Sequence, residues 1–262
     1  MLFTPVLVLG MFLACVIAEN RVAGVALGDW FRYGDFEAFL NTNDPSPSPQ
    51  FTYPSSLKFL NEANETEWIV MSVENISYMH PFPYVAVFLS KTKHFRNGTD
   101  IIESGFVDIY AGLGNMTFQI ISANLSVDDS VYAEIYSDHR IDKTVNRTYP
   151  SGVRETNHIC TVRESNVTKF LNSESVNGTF NETQDYYWDK ATGVLVEYSY
   201  YSSEEVGNWS SSWLMSYTLI ESSTWVVPEY PTFLVVLAVS IAVTVSLPLH
   251  KRRHSWKIEG KP

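Results

Sequence analysis

Only two cysteines occur in 262 residues, Cys15 and Cys160. No Cys-x-x-Cys is present, and none of the six histidines belongs to a His-Glu-x-x-His motif. The convergent His, Cys or carboxylate ligands of a metal centre are therefore missing from the sequence. Asp128-Asp129 and Asp138-His139 lack the alternating oxygen ligands and glycine turn of a calcium loop and read as surface turns. A Gly-x-Ser-x-Gly elbow and a phosphate-binding glycine loop are also absent. No carboxylate pair is singled out for glycoside hydrolysis. The sequence gives no reason to expect an enzyme or a cofactor. Positive charge is scarce, with 18 Lys and Arg against 29 Asp and Glu and a net charge of −11. That balance repels a phosphate backbone and excludes nucleic acid as a partner. Long amphipathic helical stripes are missing too, the best short candidate being Ser55 to Glu62, and no repeat at a period of about 20–50 residues points to a solenoid or propeller.

What is present is divided by position. Residues 1–18 are uncharged and apolar, and Val16-Ile17-Ala18 places small residues for cleavage after Ala18. This is the pattern of a secretory signal peptide. No Lys or Arg precedes the apolar core, so an uncleaved N-terminal anchor is the alternative. Cleavage would remove Cys15 and leave Cys160 alone in an apparent strand, Asn157 to Val162, as a buried and unreactive thiol. Near the other end, residues 232–249 are again uncharged. At 1.5 Å rise per residue such a run spans about 27 Å, close to a hydrocarbon core. Lys251, Arg252 and Arg253 follow it and mark a cytoplasmic side. The expected organisation is a signal peptide (1–18), an extracellular domain (19–226), a junction (227–231), one transmembrane helix (232–249) and a basic cytoplasmic tail (250–262). Between Asn20 and Val226 there are 26 acidic and 13 basic residues, which agrees with this single-pass orientation in a cell membrane.

The middle of the chain carries ten Asn-x-Ser/Thr acceptors for N-linked glycans: Asn64, Asn75, Asn97, Asn115, Asn124, Asn146, Asn166, Asn177, Asn181 and Asn208. It is otherwise a β pattern. Trp68 to Val73, Tyr84 to Leu89, Gly105 to Tyr110, Met116 to Ser122 and Val194 to Tyr200 are short β-branched and aromatic runs. Trp213, Met215, Tyr217 and Leu219 alternate onto one face. Asn97-Gly98 reads as a two-residue hairpin turn and Asp189 to Gly193 as a longer one. Asn97 and Asn177 are both expected on hairpin tips. The spacing predicts an all-β domain of about ten to twelve antiparallel strands, forming a curved sheet or half-barrel, a barrel or a sandwich. Aromatics crowd its later part. Tyr187, Trp188, Tyr198, Tyr200, Trp209 and Trp213 are candidates for an aromatic binding surface, and core filling is the competing role.

Two stretches resemble known families. Pro228-Glu229-Tyr230-Pro231, the apolar span and the basic stop together resemble the C-terminal sorting tail of archaeal surface proteins of the PEF-CTERM type, which have Phe where Tyr230 stands. The resemblance implies an archaeal envelope protein, cleavage near Pro228-Glu229 by an archaeosortase-like enzyme and re-anchoring to lipid. Gly28-Asp29-Trp30-Phe31-Arg32-Tyr33-Gly34 and Tyr187 to Leu195 are similar to archaeal secreted β-rich proteins. The second of these is also similar to the strand-turn-strand of LolA-like lipoprotein carriers, which implies a half-barrel with an apolar cavity. Three functions follow as expectations: a glycosylated surface protein serving adhesion, coat structure or ligand capture; a tethered carrier of a lipid or other apolar ligand; and an envelope hydrolase.

Overall fold

Alternating β-branched and aromatic residues build nine strands in a computed structural model that describes residues 21–43, 61–150, 152–171 and 174–225. They are β1 (Trp30–Thr42), β2 (Thr66–Tyr78), β3 (Val85–Phe95), β4 (Asp100–Asp108), β5 (Lys143–Tyr149), β6 (Gly152–Leu171), β7 (Glu174–Asp189), β8 (Leu195–Val206) and β9 (Trp209–Ser222). All pair antiparallel in one sheet of order β4-β3-β2-β1-β9-β8-β7-β6-β5. Two meanders thus meet where the first strand pairs with the last. The sheet does not close, since β4 and β5 each have a partner on one side only.

The all-β class and antiparallel pairing agree with the sequence reading, and the strand count among the described residues is nine, against an expected ten to twelve. Two differences account for this. First, β6 and β7 run to 20 and 16 residues, longer than the short strands expected. Second, Met116 to Ser122 is not a strand. It forms turns with a single bridge, Ile120 to Val194. Positive φ at Gly112, Gly114, Phe118 and Asn124 breaks any extended run there. The apolar residues Met116, Ile120 and Ile121 are buried as core all the same.

They belong to the 109–142 connection, which crosses one end of the sheet on its inner face. Ile109, Ile120, Ile121, Val131, Tyr132 and Ile141 from this plug meet Phe31, Tyr33, Met71, Val87, Leu89, Trp188 and Leu219 from the strands. A buried irregular segment needs partners for its backbone. Here the β7–β8 hairpin supplies them: Ile121 N donates to Gly193 O at 2.9 Å, Asn124 N to Lys190 O at 2.7 Å, and Leu195 N to Gln119 O at 3.0 Å. Side chains add to these bonds. Trp188 Nε1 donates to Phe118 O at 2.9 Å and Asn157 Nδ2 to Leu125 O at 2.8 Å.

The turns refine two expectations. Between β3 and β4, Gly98 N donates to Phe95 O at 2.8 Å and Phe95 N to Thr99 O at 2.9 Å. Only Gly98 has positive φ, at +82°. This is a three-residue loop with a glycine bulge, not a two-residue turn. A two-residue turn does occur at Gly207-Asn208 between the paired Val206 and Trp209, with φ +61° at Gly207. Asn97 sits on its hairpin loop as expected. Asn177 does not: it pairs with Thr168 within the β6–β7 ladder, and its Oδ1 accepts from the Thr168 hydroxyl at 2.9 Å. All ten acceptor asparagines are exposed.

Among the described residues no helix is long and apolar enough to cross a membrane. The predicted signal peptide, the junction with Pro228, Glu229, Tyr230 and Pro231, the predicted span, and Lys251, Arg252 and Arg253 lie outside the described residues. Most of Ser55 to Glu62 does also, and a helical turn occupies 61–65.

Candidate functional site

Residues i and i+2 of a strand share a face, so register decides which aromatics meet. On the inner face, Tyr33 and Phe36 of β1 face Met215 and Tyr217 of β9, with Leu195 and Tyr198 of β8 and Tyr186 of β7 beyond them. On the other side lie Ile69 and Met71 of β2, then Lys91 and Lys93 of β3, paired to Met71 and Ile69 respectively. These side chains, with Thr66, Glu62 and Ala63 of the helical turn and Thr117, Phe118 and Gln119 of the plug, line a cavity of about 320 Å³. Strands β3 and β7 are five steps apart in the sheet. At about 4.8 Å per step a flat sheet would separate them by about 24 Å. One small cavity touching both requires the open sheet to curl around it.

An irregularity in β1 aims Phe36 inward. The register shifts between Gly34 and Glu37, and Asp35 has φ +51°. Bulges of this kind redirect side chains. The ring of Phe36 lies 5.7 Å from that of Tyr217, which lies 5.4 Å from that of Tyr198. Tyr198 is 4.9 Å from Tyr186, and Tyr186 stacks parallel on the fully buried Trp188 at 5.4 Å. The wall is thus a continuous aromatic array backed by core.

The predicted aromatic surface divides accordingly. Tyr198 lines the cavity, and Trp188 supports it from behind. Tyr200 and Trp213 pack on each other at 5.1 Å beyond the cavity wall, and Trp209 is at the β8–β9 turn. Tyr187 alternates to the outer face. There the Arg147 guanidinium sits 4.1 Å over its ring, and His158 lies 4.3 Å away. The six residues therefore do not form one surface. Tyr33, Phe36, Phe118, Met215 and Tyr217 complete the wall and were not selected by residue density. The alternation of Trp213 to Leu219 was the available signal for the last two.

Burial governs the chemistry of the hydroxyls. Tyr33 donates to Leu195 O at 2.9 Å, and burial followed by the neighbouring Tyr217 pushes its phenol well above the ordinary range. Burial likewise raises Tyr198, Tyr186 and Tyr217, the last to about 12. These groups hold their protons more tightly folded than unfolded. Their contribution to stability is complete below about pH 10 and is lost as pH rises toward 12. Urea midpoints measured from pH 9 to 12 are expected to fall steeply over that upper interval. A flat profile would mean that the tyrosines are solvated.

Outside the cavity, His158 is buried and its Nε2 lies 2.7 Å from Asp185 Oδ1. Cys160, beside it, is half-buried, and burial followed by Asp185 raises its thiol, so it is held protonated. Among the described residues no group of three or more His, Cys, Asp or Glu is placed to hold a metal ion. No family model matches the chain, and no curated protein matches it.

Proposed function

We propose that this chain is a surface-held binding protein that captures a small apolar molecule in its half-barrel. The cavity carries the reading. Its volume of about 320 Å³ falls at the lower end of small-molecule sites. Four tyrosines, two phenylalanines and four aliphatic or Met side chains (Ile69, Met71, Leu195 and Met215) make up most of its wall. At about 30 Å³ per water, the space equals roughly ten water volumes. That suits one acyl-sized chain or a compact ring system and is too small for a two-chain lipid. The PEF-CTERM-like tail and the apolar ends would hold such a receptor on an archaeal envelope. The ten exposed glycan acceptors would keep its outer surface hydrated. Of the three functions raised by the sequence, the tethered carrier or binding protein for an apolar ligand is the one that uses the cavity.

The test is occupancy. Delipidated protein titrated with N-phenyl-1-naphthylamine should bind one probe per chain, and Trp188 behind Tyr186 should report it. Ala63→Trp places a large ring in the cavity from the helical turn and should weaken binding at least tenfold while the circular dichroism stays unchanged. Absence of saturable binding by the parent protein would return the protein to adhesion or coat structure.

A further inference from the structure

The cavity is chemically lopsided. Its β1, β9, β8 and β7 walls are aromatic and aliphatic, whereas its β3 wall is two lysines. Lys91 and Lys93 are two residues apart on one strand and so project to the same face. They are 27% and 17% exposed, so solvent reaches the cavity at this end. Lys91 lies 3.4 Å from Glu103, and Lys93 lies 3.4 Å from Glu103 and 3.8 Å from Glu62. Close charge-assisted contacts run to about 2.7–2.9 Å. Arg147–Glu197 at 2.8 Å and Lys190–Glu155 at 2.9 Å reach that distance elsewhere in the same domain. The two cavity ammoniums are therefore loosely compensated. One carboxylate, Glu103, is shared between both and is itself 45% exposed. Returning an exposed carboxylate to water costs little, because pairs of this kind contribute only about 0–1 kcal/mol. Burial, then the neighbouring Lys93, lowers the proton affinity of Lys91, with Glu103 and Glu62 acting in the opposite direction.

We propose that the occupant is a single-chain anionic amphiphile, with its headgroup oxygens between Lys91 and Lys93 in place of Glu103 and its tail against Tyr33, Tyr217 and Tyr198. The inference rests on the cavity being a ligand site and adds the class and orientation of the ligand. Two cations set side by side fit the spread charge of a carboxylate or phosphate. The lysine stems continue the apolar wall up to the charge, since such side chains bury their methylenes and expose the head.

Three ten-carbon probes separate the terms: decanoate, decyl phosphate and decanol. They share a tail and differ in the head. Isothermal titration should show decanoate and decyl phosphate binding at least tenfold tighter than decanol, with salt weakening the two anions alone. A preference for one anion over the other distinguishes a carboxylate source from a phosphate source. Lys91→Met with Lys93→Met should bring all three to parity while keeping the apolar stems. Glu103→Gln removes the competing carboxylate and should tighten decanoate severalfold without changing decanol, an effect that lost folding would not imitate. Equal binding of decanol and decanoate by the parent protein overturns the headgroup assignment and leaves the apolar site standing. Failure of all three probes to bind overturns both.

Discussion

Trp188→Ala is expected to lower the free energy of unfolding by about 3–5 kcal/mol, the usual range for removing a buried Trp. The side chain is fully buried, stacks on Tyr186 with planes 4° apart, and donates from Nε1 to Phe118 O at 2.9 Å. Two losses combine: the cavity left by the indole and the orphaned carbonyl of Phe118 in the plug. Trp188→Phe separates them, because it keeps most of the area and drops the hydrogen bond. Its expected cost is about 1–3 kcal/mol. Urea midpoints of both variants make the measurement. A loss below about 1 kcal/mol for the Ala variant would place Trp188 outside the core. Probe binding should weaken with stability, since Tyr186 would lose the surface that holds its ring against the cavity.

Gly193→Ala should be comparably severe for a different reason. Gly193 has φ +73°, and a Cβ built there would lie 2.2 Å from Ile121 O. That oxygen is backbone and has no rotamer to escape into. Gly193 also accepts the Ile121 N–H at 2.9 Å, so the substitution wedges apart the bonds that seat the plug on the β7–β8 hairpin. Left-handed strain adds about 1–3 kcal/mol to an overpacking cost of about 1–3 kcal/mol. The expected total is about 2–6 kcal/mol, with hydrogen exchange accelerating first at Ile121 and Asn124. Gly98→Ala is the control. Its φ is +82°, yet nothing lies within 4 Å of a built Cβ. It should show only the conformational penalty, about 1–2 kcal/mol. Equal losses at the two glycines would mean that the plug does not rest on Gly193.

Much of the fold was legible because strands announce themselves locally. Trp68 to Val73, Tyr84 to Leu89, Val194 to Tyr200 and Trp213 to Leu219 all fall mainly within strands, since alternation and β-branching act over a few residues. The Asp189 to Gly193 hairpin was legible for the same reason: Asp189 Oδ1 accepts from Thr192 N at 2.9 Å, and Gly193 takes the positive φ. Met116 to Ser122 was misread because an apolar run looks alike whether it pairs as a strand or folds as a buried plug. What tells them apart is the distant Gly193 and Lys190 backbone. The site was less legible than the fold. Tyr186 and Tyr187 are adjacent in sequence and lie on opposite faces, so density of aromatics in the chain did not become density in space. Lys91 and Lys93 meet the cavity only through their register with Met71 and Ile69.

The sequence by itself determined the β class, the hairpin loops around Asn97-Gly98 and Asp189 to Gly193, and the apolar, charge-marked ends that assign an expected topology. Each of these is local chemistry, written in the residues concerned and their near neighbours. Tertiary structure alone decided that β1 pairs with β9, that residues 109–142 plug the inner face, and that a curled sheet leaves a cavity with an aromatic floor and a cationic rim. Trp213 pairs with Leu40 across more than half the chain. Partnerships at that distance leave no periodic trace in the residues between, because they are selected by how much apolar surface the whole arrangement removes from water.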